Sequence, residues 1–360
     1  MAHRTVAVSN RIFPEVLAWL SARVNVVANE DPEPWSPDAL TRHCADAHAL
    51  MAFMTDRIDA DLVRACPRLK VIACGLKGYD NVDVAACTAA GITVTIAPDL
   101  LTAPTAELAV GLTLALCRNI LRGDAYVRSG AFQGWRPHLY GLGLQGSTVG
   151  LVGMGAVGRA IAARLAAFGP RIIYADPQVP SAPHGERVAW PQLLADSDVL
   201  IAAVPLTPAT VRLIDARALA RVRPTCRLVN VGRGSVVDEY AVARALANGR
   251  LGGYAADVFA LEDWARPDRP RRIPSVLLDC ANTVFTPHLG SAVEAARRAI
   301  EMAAAQDIIA VLQGQTPAGV INAPGNGSPP VPQPSPAASL TGSAAGKPPR
   351  GGRPASRLPE

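Results

Sequence analysis

The stretch Gly150-Leu151-Val152-Gly153-Met154-Gly155-Ala156-Val157-Gly158 decides the fold because of what flanks it. A short apolar strand runs into Gly153-x-Gly155-x-x-Gly158. An alanine-rich helix over residues 159–168 follows, and a second strand over 171–175 ends on Asp176. Each residue type has a task at a dinucleotide site. Gly153 permits the tight turn, Gly155 lets the backbone approach a pyrophosphate, and Gly158 lets helix and strand pack closely. The helix start at Ala156 and Val157 offers free N–H groups and the positive end of the helix dipole to phosphates. Asp176, about 20 residues past the glycines, suits the two hydroxyls of an adenosine ribose. An ordinary glycine-rich loop would share one of these features. Strand, helix, second strand and terminal acid together point to a dinucleotide fingerprint. Residues 1–149 precede it, enough for a separate domain.

Composition agrees with two domains. A chain of 360 residues, 49 % hydrophobic, buries more than one core's worth of surface. Lys347, Arg350, Arg353 and Arg357 against Glu360 carry three of the five net positive charges. The rest of the chain therefore has no basic footprint for nucleic acid. Seven cysteines, an odd number without a CxxC pair, read as reduced packing residues of a cytoplasmic protein. No metal site is expected. The N-terminus enters a strand pattern at once without a signal-peptide apolar region, and no apolar run suggests a membrane span.

Working outward from the loop, residues 4–98 alternate short strands (6–8, 24–27, 49–53, 71–74, 93–96) with helical patterns (14–22, 37–44, 82–90). Such alternation implies parallel strands covered by helices, an α/β class. A single helix over 104–128 reads as the connector between domains. Later strands fall at 199–204, 228–231, 254–258 and 284–286, and a helix over 292–312 is long enough to return to the first domain. Residues 323–360, rich in Pro, Gly, Ser and Ala, are expected to be a disordered tail.

Ligands of open parallel sheets sit outside the carboxyl ends of the strands. Three ionisable residues stand there: Arg233 in Val231-Gly232-Arg233-Gly234-Ser235, Glu262 after Asp257-Val258-Phe259, and His288 in Thr286-Pro287-His288-Leu289-Gly290-Ser291. Taken singly, a loop arginine is usually a surface ion pair and a loop glutamate is usually solvated. Beside a dinucleotide loop they divide catalytic work. Arg233 fixes an anion, His288 moves a proton, and Glu262 orients and charges His288.

With these motifs in place, the chain resembles the D-2-hydroxyacid dehydrogenases over almost all of residues 4–322. The resemblance implies two doubly wound parallel-sheet domains facing a cleft. A flavodoxin-like substrate domain would comprise 1–99 and 291–322, and a Rossmann-type NAD domain 100–290. It implies catalytic Arg233, Glu262 and His288. It also places Thr105, Pro205, Val231, Asp257 and His288 at the cofactor, with Asp257 on the nicotinamide carboxamide, and Gly78 and Ser291 at the substrate. Family members usually pair as homodimers through the nucleotide domains and the helical region near 104–128.

Within the family, the segments around Met54, Lys77-Gly78, Trp135, Tyr140 and Glu262-Asp263-Trp264 look most like phosphite (phosphonate) dehydrogenases. On that reading Lys77, Arg233 and Arg297 bind a phosphite dianion, Met54, Trp135 and Tyr140 line the pocket, and 130–143 forms a lid. His288 then activates water while hydride passes to NAD. Asp176, followed by Pro177-Gln178 without an arginine, favours NAD over NADP. Lys77 and Arg297 would otherwise be solvated or helix-paired cations, and Met54 ordinary packing. The alternatives are a 2-hydroxyacid dehydrogenase or glyoxylate/hydroxypyruvate reductase using the same residues, and an NAD-binding corepressor on the same scaffold.

Overall fold

Apolar four-residue strands alternate with helices from the start of the computed structural model, which describes residues 4–97, 99–322 and 324. The first sheet contains β1 (Thr5–Val8), β2 (Asn25–Ala28), β3 (Ala49–Ala52), β4 (Val71–Cys74) and β5 (Thr93–Ile96). Its order is β2-β1-β3-β4-β5, with every pair parallel. Every residue of β3 and β4 is buried, the pattern of a parallel sheet covered on both faces. The last helix, Glu294–Leu312, contributes Ala304, Ala305, Ile308, Ile309 and Leu312 to this same core. Their helical spacing puts them on one stripe, and burying that stripe returns the end of the chain to its beginning.

The second sheet contains β6 (Thr148–Val152), β7 (Arg171–Ala175), β8 (Glu186–Arg187), β9 (Val199–Ala202), β10 (Arg227–Asn230), β11 (Gly253–Ala256) and β12 (Thr283–Phe285). Its order, β12-β11-β10-β9-β6-β7-β8, is again parallel throughout. The order reverses between β6 and β9, which opens a crevice at their carboxyl ends, and the glycine loop after β6 lies there. The two-residue edge strand β8 is too short and too exposed to leave a periodic signal in the sequence.

The expected single helix over 104–128 is two helices, Thr102–Cys117 and Ile120–Arg128. They break at Asn119, which sits at φ 54°, a left-handed conformation that asparagine tolerates better than most residues. The first helix packs against helix Ala156–Leu165 and strands β10 to β12, whereas the second buries none of its residues. Among the described residues no helix is long and apolar enough to cross a membrane. The expected tail lies outside the described residues except for residue 324.

Candidate active site

Strand β10 delivers Arg233 through a turn that its own last residue builds. Buried Asn230 accepts from the Gly232 N–H (3.1 Å) and donates to the Arg233 carbonyl (3.0 Å). Gly234 is required next, because a Cβ there would overlap the backbone of Phe259 and Ala260. Arg233 then reaches towards the first sheet. Its Nε donates to Asp80 Oδ1 at 3.0 Å and its Nη1 to the Gly232 carbonyl at 3.0 Å. Its Nη2 lies where a Cβ on Gly78 would be, so a side chain at 78 would push the guanidinium out of this position. With Nε held by Asp80, the outer face of the guanidinium is the part free to meet an anion.

Strand β11 leads to Glu262 and β12 to His288. Glu262 Oε2 lies 2.6 Å from His288 Nδ1, while Oε1 accepts from the Phe259 N–H at 2.7 Å. Both side chains are about a quarter exposed, at 26 %. His288 itself has φ 57°, an uncommon conformation for a histidine, and the surroundings that hold it are identifiable. Asp257, 1 % exposed, accepts from Thr286 Oγ1 (2.6 Å), Leu289 N (2.7 Å) and Gly290 N (2.9 Å). Its carbonyl takes the His288 N–H at 2.8 Å. Burial raises the Asp257 carboxyl above its ordinary range, and those donors oppose the rise. Asp257, placed at the carboxamide by resemblance, here shapes the turn that presents His288.

These strand ends converge on a pocket lined by Met54, Asp80, Arg233, Glu262, Asp263 and His288, with Trp264 on its wall. Met54 is on this lining. Trp135 and Tyr140 are not; each is 77 % exposed and absent from this lining. Tyr140 instead borders a separate groove beside Asn119 and Arg122. Lys77 pairs with Asp99 (2.7 Å), whose carboxyl it holds below the usual range. Arg297 donates to the Gly75 carbonyl (3.0 Å), lies 3.4 Å from Glu301 and packs over Phe53. Both cations thus have partners outside the pocket lining. Ser291 lies just past the His288 turn and outside the lining, where its carbonyl accepts from Val293 N at 2.8 Å.

The dinucleotide residues gather around the β6 crevice. Gly153 has φ 92°, and a Cβ there would strike Val204; one on Gly158 would strike the Gly153 carbonyl. A Cβ on Gly155, which caps helix Ala156–Leu165, would meet nothing, leaving open space at the helix start beside Ala156 and Val157. That vacant approach to free N–H groups fits a pyrophosphate. Asp176 Oδ2 accepts from Met154 N at 2.8 Å, tying the end of β7 to the glycine loop. Val231 bonds to the Ala202 carbonyl (3.1 Å), and the Pro205 carbonyl accepts from Thr210 (2.7 Å), both at strand ends facing the crevice. Thr105 donates to the Gly290 carbonyl at 3.1 Å, joining the connecting helix to the His288 turn.

Sequence reasoning missed Asp80, Asn81 and Asp263. Asn81 donates to the carbonyls of Phe53 (2.9 Å) and Asp56 (2.7 Å), supporting the Met54 loop from below. An acid lying between Lys77 and Asn81 offered one signal: a candidate anion-binding arginine needs a carboxylate to orient it.

A family model for the NAD binding domain of D-isomer specific 2-hydroxyacid dehydrogenases matches residues 110–290. The chain is 35 % identical over 326 residues to a glyoxylate reductase of Thermococcus onnurineus, covering 88 % of this chain and 95 % of that protein. The chain belongs to the D-isomer specific 2-hydroxyacid dehydrogenase family. A glyoxylate reductase of Thermofilum pendens is 38 % identical over 87 % of this chain and 93 % of its own length. The NADPH-dependent glyoxylate/hydroxypyruvate reductase of Sinorhizobium meliloti, solved with NADP and malonate, superposes with a TM-score of 0.79. It is 31 % identical, with 89 % of this chain and 97 % of that one covered. The protein is therefore an oxidoreductase of this family with an NAD-binding domain and the family's two parallel-sheet α/β domains.

These relatives overturn phosphite oxidation as the expected reaction, since they are named glyoxylate reductases. The geometry explains how the sequence misled. The dianion reading needed Lys77 and Arg297 as supplementary charges at the substrate. Asp99 pairs with the first, while Glu301 and the Gly75 carbonyl engage the second.

Proposed function

We propose that this 2-hydroxyacid dehydrogenase reduces a small 2-oxoacid, glyoxylate or hydroxypyruvate, to the corresponding 2-hydroxyacid. The observation that carries the reading is the Glu262–His288 contact of 2.6 Å in a pocket whose lining cation is Arg233. One arginine with a planar fork suits one carboxylate. The names of the relatives point the same way.

The dinucleotide, when bound, supplies the hydride. The chain's residues do the rest. Arg233, steadied by Asp80, grips the substrate carboxylate. His288, whose Nδ1 faces Glu262, has Nε2 available to give a proton to the carbonyl oxygen as it becomes a hydroxyl. Glu262 holds the ring's orientation and stabilises the imidazolium before transfer. Met54 and Trp264 line the pocket beside this pair. In the reverse direction His288 takes the hydroxyl proton. Incubation of glyoxylate and of hydroxypyruvate with NADH, followed by chiral analysis of the hydroxypyruvate product, tests the reading. D-glycerate is the expected product; L-glycerate, or no product from either oxoacid, would refute it.

A further inference from the structure

The two loops that carry Arg233 and Glu262 come from different strands, yet they are stitched together at three points. Asp263 Oδ2, on the residue after Glu262, accepts from Ser235 N at 2.7 Å, two residues past Arg233. Glu239 Oε1, at the start of helix Glu239–Ala247 just beyond the Arg233 turn, accepts from Ala260 N at 2.8 Å. Between them Gly234 lies directly against the backbone of Phe259 and Ala260. Both carboxyls are buried, Asp263 at 2 % and Glu239 at 5 % exposure. Nothing in the proton and hydride chemistry uses either of them.

We propose that Asp263 and Glu239 are positioning residues that lock the Arg233 turn to the Glu262 turn, setting the substrate carboxylate in register with the proton-transferring His288. The argument is geometric. A buried carboxylate that accepts one backbone N–H from a neighbouring loop fixes that loop's distance and angle. Moving an anion clamp by about 1 Å relative to the acid can cost about a hundredfold in rate. Both links span from one loop to the other, so loss of either loosens the register of the two strand ends. Burial raises both carboxyls, Glu239 up to about 7, with Asp263, Glu262 and Asp238 adding like charge. A protonated carboxyl retains the carbonyl oxygen that accepts these bonds, so the lock survives on either side of that value.

The inference rests on the reductase reading, and the experiment separates the two. Wild type, Asp263→Ala, Asp263→Glu, Asp263→Asn, Glu239→Ala and Glu239→Gln are assayed for glyoxylate reduction, with NADH binding measured by fluorescence. Asp263→Glu keeps the charge and moves the acceptor by one methylene, so it tests register even if the alanine variant folds poorly. The expected result is a tenfold or greater loss of kcat in Asp263→Glu and Glu239→Ala. NADH affinity should stay within twofold, and the amide variants Asp263→Asn and Glu239→Gln should retain most of the wild-type kcat. Wild-type kcat in Asp263→Glu and Glu239→Ala, or losses confined to NADH affinity and Tm, would overturn the lock. An inactive wild type would instead overturn the reductase reading.

Discussion

Arg233 Nε donates to Asp80 Oδ1 at 3.0 Å, so an acid from the loop after β4 in the first sheet steadies the anion-binding arginine of the second. The side chains are 18 % and 24 % exposed, which makes this pair stronger than a surface bridge. Asp80→Ala leaves a largely desolvated guanidinium short of a partner, at a cost of about 1–3 kcal/mol. Steady-state kinetics should show kcat/KM for glyoxylate falling by about tenfold to a hundredfold. An unchanged value would mean that the pair only bridges domains.

Replacing His288 with Ala removes the proton donor and should lower kcat by about 10²–10⁴-fold. Glu262→Gln keeps a hydrogen-bond partner for Nδ1 but removes the charge, so its loss should be smaller. Single-turnover measurement of NADH oxidation checks both. Equal losses would indicate that the charge of Glu262, rather than ring orientation, is the main contribution.

Much of this site was legible because parallel sheets place chemistry at strand ends. Arg233, Glu262 and His288 each follow a short buried strand, and local motifs mark them. Pairing between distant elements was not legible. Lys77 looks like a substrate cation until Asp99 is found beside it, 22 residues away in sequence, whereas the pairing of Arg297 with Glu301, four residues on in one helix, was open to helical spacing. The Arg233–Asp80 contact spans 153 residues, beyond any local pattern. The helix break at Asn119 carries no glycine or proline to mark it in the sequence. Trp135 and Tyr140 were assigned to the pocket by resemblance, whereas their backbone lies on the surface beyond that break.

Cofactor choice turns on Asp176. Its Oδ1 accepts from Gln178 N (2.8 Å) and Val179 N (3.1 Å), so the carboxylate is fixed where a ribose 2′-phosphate would be repelled. NADH should be preferred over NADPH, and Asp176→Ala with Pro177→Arg should narrow the ratio of their kcat/KM values by about tenfold or more, about 1.4 kcal/mol. A wild-type preference for NADPH would contradict this role.

Asp56 makes a pH prediction. It is 2 % exposed, accepts from Phe53 N (2.7 Å) and Ser9 Oγ, and has Oδ1 buried without a hydrogen-bond partner. Burial raises its carboxyl from 3.8 to about 6. Between those values the folded chain holds a proton that the unfolded chain has released, so this group's contribution to stability falls as pH rises from 3.8 to 6 and is level above. Asp56→Asn should remove that slope. Denaturant melts at pH 5 and pH 8 should show the mutant gaining on wild type at the higher pH by about 1 kcal/mol. A difference independent of pH would contradict the prediction.

The most direct measurement is kcat/KM of the purified protein with glyoxylate and hydroxypyruvate by NADH oxidation, beside phosphite by NAD reduction. The account predicts turnover of the 2-oxoacids at about 10⁴ M⁻¹s⁻¹ or above, the usual enzyme range, with phosphite far lower. Efficient NADH formation from phosphite, with the oxoacids near background, would contradict it.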